Sequence, residues 1–154
     1  MKKLLCLICM VMLLAVCSAG AEETTEDIIT IDNNAEFAEI LALKNPGDVK
    51  VQQFAEKYAG RTIAFDGNVA CFNHHENYKT RYDFLILAGD YSETNMSGPN
   101  FQFKDCNILD LHLAGDNIPE SIKSGASFHF VAKIEDYDER SELFHLDPVE
   151  TTAR

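Results

Sequence analysis

A mainly β domain entered through two short helices is the fold class this sequence predicts. Three observations lead there. The hydrophobic period changes from helical to alternating at Arg61. Three strand-like runs then precede one short helical window, and two more follow it. Gly67 sits inside the first run, where a strand serving two neighbours has to bend. The order β-β-β-α-β-β after a helical pair is that of a five-stranded Greek-key barrel of the OB type. The alternative is an open α+β sheet with the helices on one face, but closing the barrel removes exposed edges.

The elements follow in order. Ile28-Ile29-Thr30-Ile31 is a short β-prone run, and Asn34 is a suitable N-cap for the first helix. Phe37, Ile40, Leu41 and Lys44 recur at helical spacing until Asn45-Pro46-Gly47 stops them. Asp48 caps a second helix with Val51, Phe54, Ala55 and Tyr58 along one stripe, and Gly60 marks its end. Ile63, Phe65, Gly67 and Val69 alternate in strand one, which reaches about Asn73; a polar turn over 73–77 follows. Strand two runs from about Lys79 to Ala88, and residues 89–100 form a long loop rich in Gly, Ser and Asn. Strand three spans Phe101 to Leu113. Asn117 caps a short helix over Ile118–Lys123, closed by Gly125. Strand four carries Phe128, Phe130, Ala132 and Ile134; after the charged loop Glu135–Ser141, strand five covers Leu143–Val149. The predicted core is Phe65, Val69, Phe84, Ile86, Phe103, Leu109, Leu111, Phe128, Phe130 and Leu146.

The N-terminus points out of the cytoplasm. Lys2 and Lys3 precede an unbroken apolar run, Leu4–Val16, which is shorter than the about 20 residues of a membrane-spanning helix. Ser18-Ala19-Gly20-Ala21 follows, so the order is that of a cleavable signal peptide over 1–21, cut between Ala21 and Glu22. Residues 22–27 are then a polar tether. Residues 28–154 form a single domain, with the strand and two helices over 28–59 and the barrel over 60–154. Cys17 stands where a bacterial lipobox has its lipidated cysteine, although Val16 replaces the usual small residue before it. Lipidation there would anchor the protein to a membrane; otherwise the protein is secreted or extracytoplasmic.

Charge and cysteines narrow the partners. The sequence has 25 Asp and Glu against 13 Lys and Arg, a net charge of −12, and loss of Lys2 and Lys3 makes the mature chain more negative. Such a surface repels phosphate backbones and anionic headgroups. Cys71 and Cys106 remain after the leader, and a disulfide between them is open to an exported chain.

The segments GRTIAFDGNV (60–69), YKTRYD (78–83), GPNFQFKD (98–105) and LFHLDPV (143–149) carry a resemblance. Over Ile29–Arg154 the chain resembles an uncharacterised family of bacterial exported domains expected to be OB-like. A looser, fold-level similarity links it to OB domains of the tRNA-anticodon-binding type. The resemblance implies a fold and a compartment and brings no catalytic residues.

Chemistry-bearing clusters are few. His74-His75-Glu76 lies three residues after Cys71, but a zinc site needs about four ligands and no diagnostic spacing supplies them, so a polar turn accounts for it. A hairpin turning at Tyr137 places His129 opposite His145 on an outer face. Asp90, Ser92 and Thr94 alternate without the glycine and glutamate of a calcium loop. Arg81 and Lys104 make a small basic island on the strand face where OB domains usually bind ligands, with Asp83 in phase to pair with Arg81. No G-x-S-x-G, H-E-x-x-H or P-loop pattern occurs, so the sequence assigns no catalytic residue, no metal ligand and no cofactor. The expectation is an exported, non-catalytic domain that binds a protein, a peptide or a cell-envelope component. The alternatives are an envelope hydrolase and a single-stranded nucleic-acid binder, the latter disfavoured by the charge.

Overall fold

The structure, a computed structural model, describes residues 27–94 and 96–154. Among these described residues two helices come first: α1 (Ala35–Ala42) and α2 (Val49–Lys57). Each starts where the sequence places a cap. The Asn34 side chain accepts from the Phe37 amide at 2.9 Å, and Asp48 accepts from the Lys50 amide at 2.9 Å. Gly60, at φ +79°, follows the second helix in the left-handed conformation that glycine adopts without a Cβ penalty.

Six strands follow: β1 (Thr62–His74), β2 (Tyr82–Ala88), β3 (Asn100–Cys106), β4 (Leu113–Ala114), β5 (Ser127–Asp138) and β6 (Leu143–Ala153). β1 is long enough to pair twice: its first half runs antiparallel to β5 and its second half antiparallel to β2, and both pairings include Gly67. β2 pairs with β3, β5 pairs with β6, and a parallel pairing of β3 with β6 closes a five-stranded barrel. The two-residue β4 lies parallel to the end of β6. Closure pairs each of those five strands with two others, while the first half of β1 keeps a side with no strand of the barrel against it.

The core is aromatic. Phe65, Phe84, Phe101, Phe103, Phe128, Phe130 and Phe144 are all buried, with Ile63, Ile86, Ile134 and Leu146 between them. Phe130 meets Phe65, Phe103 and Phe128 at ring separations of 5.7, 5.6 and 5.7 Å. The helices bury their stripe on this core: Phe37 meets Phe65 edge-on at 6.3 Å, and Phe54 meets Phe144 at 6.5 Å. Ahead of the helices, Ile29 is buried and forms a single parallel bridge to Ile63.

Four expectations are corrected. No helix forms over Ile118–Lys123: only Ile122 is buried there, Pro119 favours an extended Ile118, and one anchor does not offset the cost of nucleating a turn. A 3₁₀ turn over Leu109–Leu111 occupies part of the connection instead. Strand three ends at Cys106, because Asn107 accepts from the amides of Leu109 and Asp110 at 2.7 and 3.2 Å and turns the chain. Leu109 is therefore 84% exposed rather than core, while the other nine predicted core residues are buried. The last hairpin turns after Asp138, not at Tyr137. Asp138 accepts from the Arg140 amide at 2.9 Å and from Ser141 at 2.6 Å, and Tyr137 remains in β5 opposite Phe144. Lastly, Cys71 and Cys106 are separate thiols. They lie on β1 and β3, which flank β2 on opposite sides, so about two strand spacings separate them. That is beyond the reach of a disulfide, whose Cα atoms lie within about 7 Å.

Candidate functional site: a groove between the first helix and the barrel

A cavity of about 570 Å³ lies where α1 meets β1. One wall is Ala38, Leu41 and Ala42 of α1, and another is Thr30, Ile31 and Asp32 of the preceding turn. Ala64, Phe65 and Asp66 of β1 form its base, with Ala88 and Gly89 at the end of β2 and His129 of β5. Ser97, from the loop between β2 and β3, completes the rim. That loop is held to the helix: the Gly98 amide donates to the Leu43 carbonyl at 2.7 Å, and Gly98 has φ +86°. A Cβ on Gly98 would come within 3.2 Å of the Leu41 carbonyl oxygen, so the close approach suits glycine.

The groove is apolar with a charged margin. His129 and Asp66 are cross-strand partners, and His129 Nδ1 lies 2.7 Å from Asp66 Oδ1. Arg154 Nε sits 3.3 Å from the other Asp66 oxygen, and its Nη1 sits 3.3 Å from Asp90. Asp32 makes no ion pair among the described residues. The margin thus holds three carboxylates against one arginine and one histidine. A concave apolar surface with a few polar groups at its edge is the usual form of a small-ligand or peptide site.

Of the residues singled out from the sequence, His129 lines the groove and Asp90 stands at its margin; Arg81, Lys104, His74, His75 and His145 lie elsewhere. Arg81 stands just before β2, where its guanidinium binds the Asp105 carboxylate and the Asp105 carbonyl and comes within 3.9 Å of Asp110. The ion pair's hydrogen bond holds the Asp105 carboxyl below the usual carboxylate range and raises Arg81. Asp83 accepts from the Asp105 amide at 2.8 Å and lies 2.9 Å from His75 Nδ1, so it serves His75 and Asp105 rather than Arg81. Lys104 is exposed on β3. His74 stacks on Tyr82 at 4.8 Å. His129 and His145 do not face each other: β5 places Thr152 opposite His129 and Asp136 opposite His145. Among the described residues no three of His, Cys, Asp or Glu come together as a metal-ligand set. Cys17, Ala21 and Glu22 lie outside the described residues.

Sequence reasoning missed Asp66 and the groove. The available signal was a charged or polar residue between two buried phenylalanines or apolar neighbours on each strand, Asp66 after Phe65 and His129 between Phe128 and Phe130. It becomes a pair only once β1 and β5 are known to be neighbours.

Comparison with protein families matches residues 32–154 to the family described as Domain of unknown function (DUF4839). The chain belongs to this family. The match takes in both helices, the barrel and every residue of the groove except Thr30 and Ile31. Comparison with curated proteins and with solved structures returned no match. As a DUF4839 domain the protein gains a family for its fold, and its chemistry has to be argued from the groove itself.

Proposed function

We propose that this chain is an exported, non-catalytic binding domain with an OB-type barrel, and that its groove takes a protein, peptide or cell-envelope ligand. The groove between α1 and β1 carries this reading: it has the size of a ligand site, apolar walls and a charged margin. Two further observations support it. The barrel closes through a parallel pairing of its third and last long strands, as a Greek-key OB barrel would. Residues 1–21 have the cationic, apolar and small-residue order of a leader.

A ligand that binds only the folded state raises the melting temperature, by about 2.7 kcal/mol of stability at a hundredfold excess over Kd. Thermal melts against short peptides and soluble envelope fragments therefore test the reading, with Ala38→Phe as the blocked control. Ligands that stabilise both forms equally would place binding outside the groove. N-terminal sequencing of the exported protein tests the compartment: a start at Glu22 is expected, whereas a lipid-modified Cys17 would make the protein a membrane-anchored lipoprotein.

The hydrolase alternative rests on the Asp66–His129 pair, an orientation typical of a base and its partner. Asp66 is shared with Arg154, and no hydroxyl or thiol is hydrogen-bonded to His129 among the described residues. The binding reading needs neither feature.

A further inference from the structure

We infer that the groove receives an extended peptide by β-strand addition to β1, and that the peptide carries lysine or arginine side chains. This rests on the binding reading and names its ligand class.

Hydrogen-bond parity along β1 exposes a gap. Successive residues of a strand direct their backbone groups to opposite sides. On β1 the odd-numbered residues face β5, as the Ile134 amide bonding to the Arg61 carbonyl at 2.9 Å establishes. The even-numbered residues face the other way. There the Ile29 amide donates to the Thr62 carbonyl at 2.9 Å, and the Ile29 carbonyl accepts from the Ala64 amide at 2.8 Å. Further along, the Gly89 amide donates to the Asp66 carbonyl at 2.8 Å. Between these lie the Ala64 carbonyl and the Asp66 amide, which have no backbone partner among the described residues. The chain could have filled the gap with Ile31. Instead it turns at Thr30–Asn33, fixed by the Thr30 amide on Asn33 Oδ1 and by Asn33 Nδ2 on the Ile28 carbonyl, both at 2.8 Å.

One free acceptor and one free donor on a strand, opening into an apolar groove, form a place for a single added residue. A residue oriented as Ile29 is would donate to Ala64 and accept from Asp66. Main-chain bonds of this kind supply affinity, and the pockets on either side select the alternate side chains. The groove offers apolar wall from Ile31, Leu41 and Ala42, and carboxylates from Asp32, without an ion-pair partner among the described residues, and Asp66, shared by His129 and Arg154. The net charge of −12 attracts a cationic segment over a longer range. An extended peptide alternating apolar and basic residues satisfies the bonds, the walls and the charge together.

The test uses the full mature domain and a fluorescein-labelled, acetylated peptide alternating leucine and lysine, read by anisotropy. Saturable binding is expected. Replacing lysine by glutamate, methylating alternate backbone nitrogens, or filling the groove with Ala38→Phe or Ala42→Trp should each weaken it by roughly tenfold or more. Ala42 is exposed, so the second variant tests the wall should the first fail to fold. Exchange of the Asp66 amide with deuterium, followed by NMR, should slow on binding. Equal binding by the groove variants, or an Asp66 amide that exchanges as fast with peptide as without, overturns the inference. If a non-peptide envelope fragment stabilises the native domain but not Ala38→Phe while no peptide binds, this inference fails and the binding reading stands. If no ligand is sensitive to the groove variants, both fail.

Discussion

Gly67→Ala is the sharpest probe of how this barrel closes. β1 exchanges one neighbour for the other at this residue, which is paired at once with Phe128 of β5 and Ala88 of β2. Its φ is not in the left-handed region, so backbone freedom is not the reason for glycine. Space is. A Cβ at Gly67 would lie 2.7 Å from the Leu87 carbonyl oxygen and 3.2 Å from a ring carbon of both Phe65 and Phe130. The ring edges can shift by a few tenths of an ångström. The carbonyl cannot, because Leu87 is registered against Asn68 in the β1–β2 ladder. Overpacking by one methyl costs about 1–3 kcal/mol, and a backbone obstacle places this case near about 2–3 kcal/mol. With an unfolding entropy of about 2.1 cal/mol/K per residue over roughly 130 residues, the melting temperature falls by about 7–11 °C. Circular dichroism melts in buffer and in urea measure it. Gly60→Ala is the comparison: Gly60 has φ +79° and nothing within 4 Å of its missing Cβ, so it meets only left-handed strain of about 1–2 kcal/mol. A Gly67→Ala midpoint no lower than that of Gly60→Ala would refute the close-approach argument.

Three further outcomes are expected. Phe130→Ala should cost about 3–5 kcal/mol in urea unfolding, since the ring is 1% exposed and packs on three other phenylalanines; an unchanged midpoint would contradict its place in the core. A thiol reagent at pH 8 should label Cys71 in the native protein and Cys106 only after unfolding, because burial, helped by Asp110 and Asp147, pushes the Cys106 thiol from 9.0 up to about 12. With the folded value above the unfolded one, that contribution to stability is complete below pH 9.0 and declines towards about 12; a Cys106→Ala variant whose stability falls as steeply over that window would remove the thiol as the cause. Labelled single-stranded DNA or RNA should show no anisotropy change at physiological salt. Salt-sensitive micromolar binding lost in Lys104→Ala would restore the nucleic-acid alternative.

Much of the fold was legible because its determinants are local. Asn34 and Asp48 announce their helices by side-chain chemistry at the residue just before each begins, and the alternation of Phe128, Phe130, Ala132 and Ile134 gives the phase of β5 without knowledge of its neighbours. The end of β3 was legible too: Asn107 is a turn-forming residue, and the apparent phase of Leu109 masked it. Asp138 likewise marks the final turn, but it stands in a charged run, Glu135–Ser141, that does not show which residue is the centre. The segment 118–123 was misjudged because a cap and a helical window are necessary for a short helix and not sufficient. The groove could not have been read from the sequence. Its walls come from the N-terminal turn, α1, β1, β2, β5 and a loop glycine, and none of these segments carries a local sign of the others.

Where a ligand would bind then turns on which polar groups the fold has already satisfied. On the β2–β3 face the charges answer one another: Arg81 is held by Asp105, the Asp105 amide by Asp83, and Asp83 lies against His75. Drawing Arg81 to a ligand would require breaking an ion pair made together with a backbone bond, a loss any new contact must first offset. Lys104 alone is a weak determinant there, since a single exposed ion pair contributes about 0.2–1 kcal/mol. The groove is in the opposite condition. Its apolar walls are open, Asp32 makes no ion pair among the described residues, and a carbonyl and an amide of β1 lack backbone partners. A ligand that engaged Asp32 and these two backbone groups would add bonds without breaking an ion pair of the fold, which no ligand drawn to Arg81 could do.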